Sequence, residues 1–131
     1  MVTAFHEEMK LRLDESQRLA GVLPLLDGTP HGAAYLIGPR RAPVGYLVVS
    51  FGWSVEFGGV DGFLDEIYVR PAVRGRGMGG DAISALFNLL KRSDVRALHL
   101  EVDRESPAAG LYRRLGFSPR LRYSLMTWTA P

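Results

Sequence analysis

Apolar and polar positions change period several times along this chain, and each change marks an element. Leu19, Val22, Leu23 and Leu26 recur at helical spacing, so this stretch predicts an amphipathic helix with one buried face. Asp14 stands ahead of it as an N-cap, with Gln17 as its capping-box partner. Pro24 lies inside the run and predicts an end or a kink. A shorter helix is expected upstream, from Ala4 to Lys10. Past a loop at Asp27 to Pro30 the pattern becomes strand-like. Ala33 to Ile37 and Val44 to Phe51 flank a turn with two prolines and predict adjacent antiparallel strands. Gly52 to Gly62 reads as a loop that carries Trp53 and Phe57. Phe63 to Val69 is the next strand. Helical spacing returns from Met78 to about Arg92, with Ile83, Leu86, Leu89 and Leu90 on one face. Ala97 to Val102 is again a strand, so strand, helix and strand predict a right-handed βαβ unit. Ser106-Pro107 opens a short helix that stops at Gly116. Tyr123 to Trp128 alternates and predicts a final strand.

Length and composition narrow the class. The 131 residues suit one domain, and 47% hydrophobic with 23% charged residues is a globular profile. There is no cysteine, which excludes disulfides, thiolate metal sites and a cysteine nucleophile and fits a reducing, cytoplasmic setting. His6, His31 and His99 lack metal-ligand spacing, so no metal is expected; His99 reads as a satisfied sheet residue. No apolar run is long enough to span a bilayer, and the first ten residues have no apolar signal core. A formal charge of +2 is too small to point to nucleic acid.

The distribution of charge is more telling than its sum. Glu56, Asp61, Asp65 and Glu66 fall in a stretch without Lys or Arg, and Arg70, Arg74 and Arg76 follow at once. The second group holds Arg74-Gly75-Arg76-Gly77-Met78-Gly79, between a predicted strand and a predicted helix. Three alternate glycines free the backbone to turn and let a ligand approach its N–H groups. The helix start adds unpaired N–H groups and the positive end of the dipole, so the stretch predicts an anion site. It is not a P-loop, since no Gly-Lys-Ser/Thr follows, and it is a poor dinucleotide fingerprint.

About 30 residues on stands Leu111-Tyr112-Arg113-Arg114-Leu115-Gly116-Phe117. Together with Ile67 to Gly79, this pair of motifs resembles the GNAT superfamily of acyl-CoA-dependent N-acetyltransferases, over roughly Ala33 to Thr129. The resemblance implies a single GNAT-like α/β (mixed α+β) domain, residues 1–131, with a mixed, mostly antiparallel sheet flanked by helices. It implies acetyl-CoA as cofactor. Amides of Arg74, Gly75, Arg76, Gly77, Met78 and Gly79 would take the pyrophosphate, with the side chains of Arg74 and Arg76, or one of the two, adding charge-assisted contacts, and Ile67, Tyr68 and Val69 would pair with the pantetheine arm as if it were an added strand. It implies attack by a primary amine on the thioester, with Tyr112 as acid beside the sulfur. Glu66 and Asp65 compete as base, directly or through water, with Glu66 favoured. Adjacent strand residues point to opposite faces, so one carboxylate faces the amine unless a bulge intervenes. Trp53, Glu56 and Phe57, with Asp61, suit a cationic acceptor: a polyamine, an aminoglycoside-like molecule or a protein amine.

Two departures stand out. Ser106 lies where relatives often carry a cofactor-binding asparagine. The chain also starts almost at the first helix, where the family has a strand. Either the start is truncated or the sheet lacks its first strand; the latter exposes an edge, which predicts a homodimer built at least partly through the sheet. The competing reading is a non-catalytic acyl-CoA-binding module. A nucleic-acid binder is disfavoured by the acidic 56–66 stretch, and no membrane partner is expected.

Overall fold

The computed structural model describes every residue, Met1 to Pro131. The chain forms two compact units, Met1–Glu101 and Val102–Pro131. In the first, helices α1 (Val2–Glu8) and α2 (Glu15–Leu26) precede strands β1 (Gly32–Ile37), β2 (Gly45–Ser54) and β3 (Gly59–Val69). A 3-10 turn at Pro71–Val73 leads to helix α3 (Met78–Arg92) and strand β4 (Ala97–Leu100). The second unit holds helix α4 (Ala108–Arg114).

The four strands form one sheet in the order β1-β2-β3-β4. β1–β2 and β2–β3 are antiparallel, and β3–β4 is parallel, as a strand–helix–strand unit requires. Leu47, Val49 and Leu64 share one face of the sheet and are buried, as are Ile83, Leu86 and Leu90 of α3. Leu89, expected on that same stripe, is over one-third exposed at its margin. The opposite face carries Tyr46, Val48 and Tyr68, packed against Met1, Val2, Ala4 and Phe5 of the N-terminal segment and Leu25 of α2. Phe5 meets both tyrosines edge-on, at 6.3 and 6.4 Å between ring centres.

Several expectations are corrected. The Gly52-to-Gly62 segment is mostly strand: β2 runs to Ser54 and β3 starts at Gly59, so the two form one long hairpin. Its glycines looked like loop formers, but cross-strand pairing outweighs their weak strand propensity. Asp14 does cap α2, and the reciprocal bond from Gln17 is present. α2 nevertheless continues through Pro24 to Leu26, so the proline removes one N–H bond to the preceding turn without ending the helix. Leu19, Leu23 and Leu26 do not form a buried face; they are 46%, 46% and 69% exposed. Val22 and Leu25 are the half-buried apolar residues of that helix instead. Residues 123–128 form no strand, and Tyr123, Leu125, Met126 and Trp128 are exposed. Alternation supplies a strand's pattern, but a strand also needs a neighbour to hydrogen-bond. No helix is long and apolar enough to cross a membrane.

Candidate active site

β3 is the element on which the candidate residues of the first unit converge. Its pairing with β4 covers only Asp61 to Leu64. From residue 65 to residue 69 it runs on beside β2 with no strand on its other side. Backbone groups of Ile67, Tyr68 and Val69 therefore lie along a free edge, which an extended ligand with amide groups can complete as an added strand.

A bulge decides where the two carboxylates point. Val48 pairs with Glu66 and Val49 with Leu64, so Asp65 is an extra residue without a partner across the ladder. One extra residue reverses the alternation. Glu66 consequently shares a face with Tyr46 and Val48, and also with Phe63 and Asp61, which pair with Ser50 and Gly52. Asp65 is exposed at the bulge.

Glu66 is held from two sides. Its Oε2 lies 2.6 Å from His6 Nε2 of α1, and its Oε1 accepts a 3.2 Å hydrogen bond from the Tyr46 hydroxyl. Its side chain is only 14% exposed. Burial, followed by the negative charge of Glu66, pushes the Tyr46 phenol well above its ordinary range, so Tyr46 remains a donor. His6 is buried, and its other ring nitrogen, Nδ1, has no hydrogen-bond partner. His6 was not singled out from the sequence, because nothing local links it to a residue 60 positions away.

The glycine turn follows the free edge. Gly75 and Gly77 have φ of +76° and +81°, in the left-handed region that glycine tolerates, and Gly77 is the N-cap of α3. Gly79 is different: its φ is ordinary, and an added Cβ would meet nothing within 4 Å. The protein's own packing therefore does not require glycine there, whereas a ligand lying against the backbone would. The N–H groups of Gly75, Arg76 and Gly77 donate to no backbone carbonyl of the turn. Those of Met78, Gly79 and Gly80, in the first turn of α3, have no intrahelical partner by geometry. The arrangement fits an anionic phosphate group and, with the β3 edge, an elongated cofactor such as acetyl-CoA.

The two arginines of this turn differ. Arg76 is exposed. Arg74 donates from Nε to the Val69 carbonyl at 2.7 Å and from both terminal nitrogens to Glu8, at 2.8 and 2.7 Å. The hydrogen bond from Arg74 is the main cause holding the Glu8 carboxyl below the usual carboxylate range.

At the other end of β3 the hairpin tip carries the acceptor-side candidates. Trp53 is 73% exposed, and Glu56 and Phe57 are exposed beside the tip. The Phe57 amide donates to Ser54 Oγ, and its ring lies 5.8 Å from that of His99. His99 of β4 is 3.2 Å from Asp61, so each has a partner within the sheet.

Tyr112 and Ser106 belong to the second unit. Tyr112 lies on α4, half-buried, with its ring edge-on to Phe117 at 5.9 Å. Burial raises its phenol above the ordinary value, so it keeps its proton near neutrality. Ser106 Oγ accepts from the Ala108 amide at 3.2 Å and its carbonyl accepts from Ala109, which makes it a start-of-helix residue.

A family model described as the acetyltransferase (GNAT) family matches residues 3–117. No curated protein sequence matches this chain. Among solved structures, an integron cassette protein from the mobile metagenome of Cole Harbour Salt Marsh is 32% identical, with a TM-score of 0.84. The match covers 99% of this chain and 81% of that one. A possible acetyltransferase from Clostridium difficile 630 is 18% identical over 98% of this chain and 86% of its own, at a TM-score of 0.82. An aminoglycoside N-acetyltransferase in complex with CoA is 19% identical over 88% and 87%, at 0.68. At those identities the last two show a shared fold.

Proposed function

This chain belongs to the GNAT acetyltransferase family, and on that premise we propose that it transfers an acetyl group from acetyl-CoA to a primary amine. One observation carries the reading: the unpaired edge of β3 leads, through the 3-10 turn at Pro71–Val73, into a turn of unpartnered N–H groups at the start of α3. Backbone groups of Ile67, Tyr68 and Val69 would hold the pantetheine arm. The amides of residues 74–79 would hold the pyrophosphate, with Arg76 adding charge. When bound, acetyl-CoA supplies the thioester whose C–S bond breaks as the new C–N bond forms.

The chain's own residues manage two protons. An amine must lose one to become nucleophilic, and Glu66 is the favoured acceptor, through water, with Asp65 the alternative. The departing thiolate needs one, and the Tyr112 phenol is the donor. Its burial-raised proton affinity keeps that proton available near neutral pH. Trp53, Glu56 and Phe57 would face the acceptor, a cation that aromatic faces and a carboxylate attract. A polyamine, an aminoglycoside-like amine or a protein amine has this chemistry, and a structural neighbour is an aminoglycoside N-acetyltransferase.

The second reading, a non-catalytic acyl-CoA-binding module, is favoured by the engagement of both Glu66 oxygens within the protein. Release of free CoA in the presence of an amine panel separates the two. The enzyme reading expects turnover, and a fall of about 100-fold on Tyr112→Phe. CoA binding without turnover of any amine supports the module. We also propose a homodimer formed through an edge of the sheet, since β1 closes one side of it without a further strand. A monomer in light scattering at micromolar concentration removes that idea.

A further inference from the structure

A turn with two left-handed glycines is soft, because glycine has more conformational freedom to lose than any other residue. A site made of its N–H groups binds well only if something outside the turn holds their directions. In this protein the tether is the Arg74 side chain, the last residue before the glycines. Its Nε bond to the Val69 carbonyl folds the turn back onto the end of β3. Its guanidinium lies over the Tyr68 ring, 5.4 Å from the centre, and Tyr68 is buried in the sheet. Its two terminal nitrogens reach both oxygens of Glu8, the last residue of α1. α1 is itself fastened to β3 through His6 and Glu66.

We propose that Glu8 is a positioning residue for the glycine loop: it grips the fork of Arg74 and thereby sets the directions of the N–H groups of residues 75–79. The proposal rests on the reading above that this loop receives the phosphates of CoA. Arg74 is then a strut and not an anion ligand, because Glu8 cancels its charge. Arg76, exposed on the same turn, remains the loop's cation. The bidentate geometry matters, since only a planar fork can satisfy two carboxylate oxygens and a backbone carbonyl together.

The test uses the full chain carrying Glu8→Gln and, separately, Arg74→Lys, with CoA and pantetheine as probes in titration calorimetry. Pantetheine lacks the pyrophosphate, so it reports the β3 edge without the loop. Each variant is expected to bind CoA about fivefold more weakly, the upper range for an exposed ion pair. Pantetheine affinity should stay at the wild-type value, and the thermal midpoint should fall by no more than the few degrees that loss of one exposed ion pair allows. In the ligand-free protein the amide resonances of Gly75, Gly77 and Gly79 should shift in both variants. Unchanged CoA affinity in Glu8→Gln overturns the proposal. So does tighter binding, which would mean that Glu8 restrains an arginine able to reach the phosphates. A parallel loss of pantetheine affinity and thermal stability also overturns it, by showing a general structural role. Wild-type protein that binds neither probe sinks the functional reading together with the proposal.

Discussion

Two neighbouring regions of β3 and its turn handle negative charge in opposite ways. The turn at residues 75–80 offers backbone N–H groups that no backbone carbonyl accepts and brings no negative charge of its own. The cluster around Glu66 brings a carboxylate and encloses it with side chains from α1 and β2. The first is made by consecutive residues and needs a ligand to complete it. The second is made by residues 6, 46 and 66 and is largely complete without one. A receptor for an anion can be written locally, because backbone amides do the work. Holding an anion in a nearly buried place takes donors from distant parts of the chain, since an unpaired buried charge is costly.

That contrast predicts a clean separation of effects, largest first. Glu66→Gln is expected to lower turnover about 100-fold, the lower range for loss of a general base. Its dissociation constant for CoA should not change. A matching loss of CoA affinity would merge the two regions into one. His6→Ala should destabilise the fold by about 2 kcal/mol in urea unfolding, because it removes a buried ring and strips Glu66 of a partner. A loss no larger than that of a surface substitution would mean the cluster is looser than its geometry indicates.

Gly79→Ala tests the opposite side of the comparison. With nothing within 4 Å of the new Cβ, stability should hold or rise by no more than ~1 kcal/mol. CoA affinity should fall about tenfold, equivalent to ~1.4 kcal/mol. A stable variant that binds CoA normally would show that the loop is not a close-contact surface. The smallest effect concerns pH. The Glu8 carboxyl is depressed by its hydrogen bond to Arg74, so its contribution is present above the ordinary carboxylate value and lost as pH falls through the depressed one. The pair is exposed on both sides, so screening limits this to less than about 1 kcal/mol. Comparing acid unfolding of wild type with Glu8→Gln should show the extra acid sensitivity only in the wild type.

How much of this was legible follows from the range of the interactions. The strands from Ala33 and Phe63, the capping box at Asp14 and Gln17, and helix α3 from Met78 to Arg92 all arise from neighbours in sequence, and the structure has them. The hairpin at Gly52 to Gly62 reads as loop in the sequence because its strands are stabilised by each other and not by their own residues. Residues 123–128 failed for the converse reason: the alternation was present and no strand pairs with them. Leu19, Leu23 and Leu26 had helical spacing, but spacing does not say how much of a stripe the neighbours cover.

The sequence by itself determined the glycine turn, the strand before it and the helix after it, with the motif at Tyr112, and so the family. These depend on backbone freedom and short-range periodicity, which are properties of consecutive residues. Only the tertiary structure decided that a bulge at Asp65 turns Glu66 onto the α1 face, that His6 and Tyr46 hold it there, and that Glu8 takes the fork of Arg74. Those contacts join residues 20 to 66 positions apart. Side chains so far apart meet only after the chain has folded, and no local pattern records their meeting.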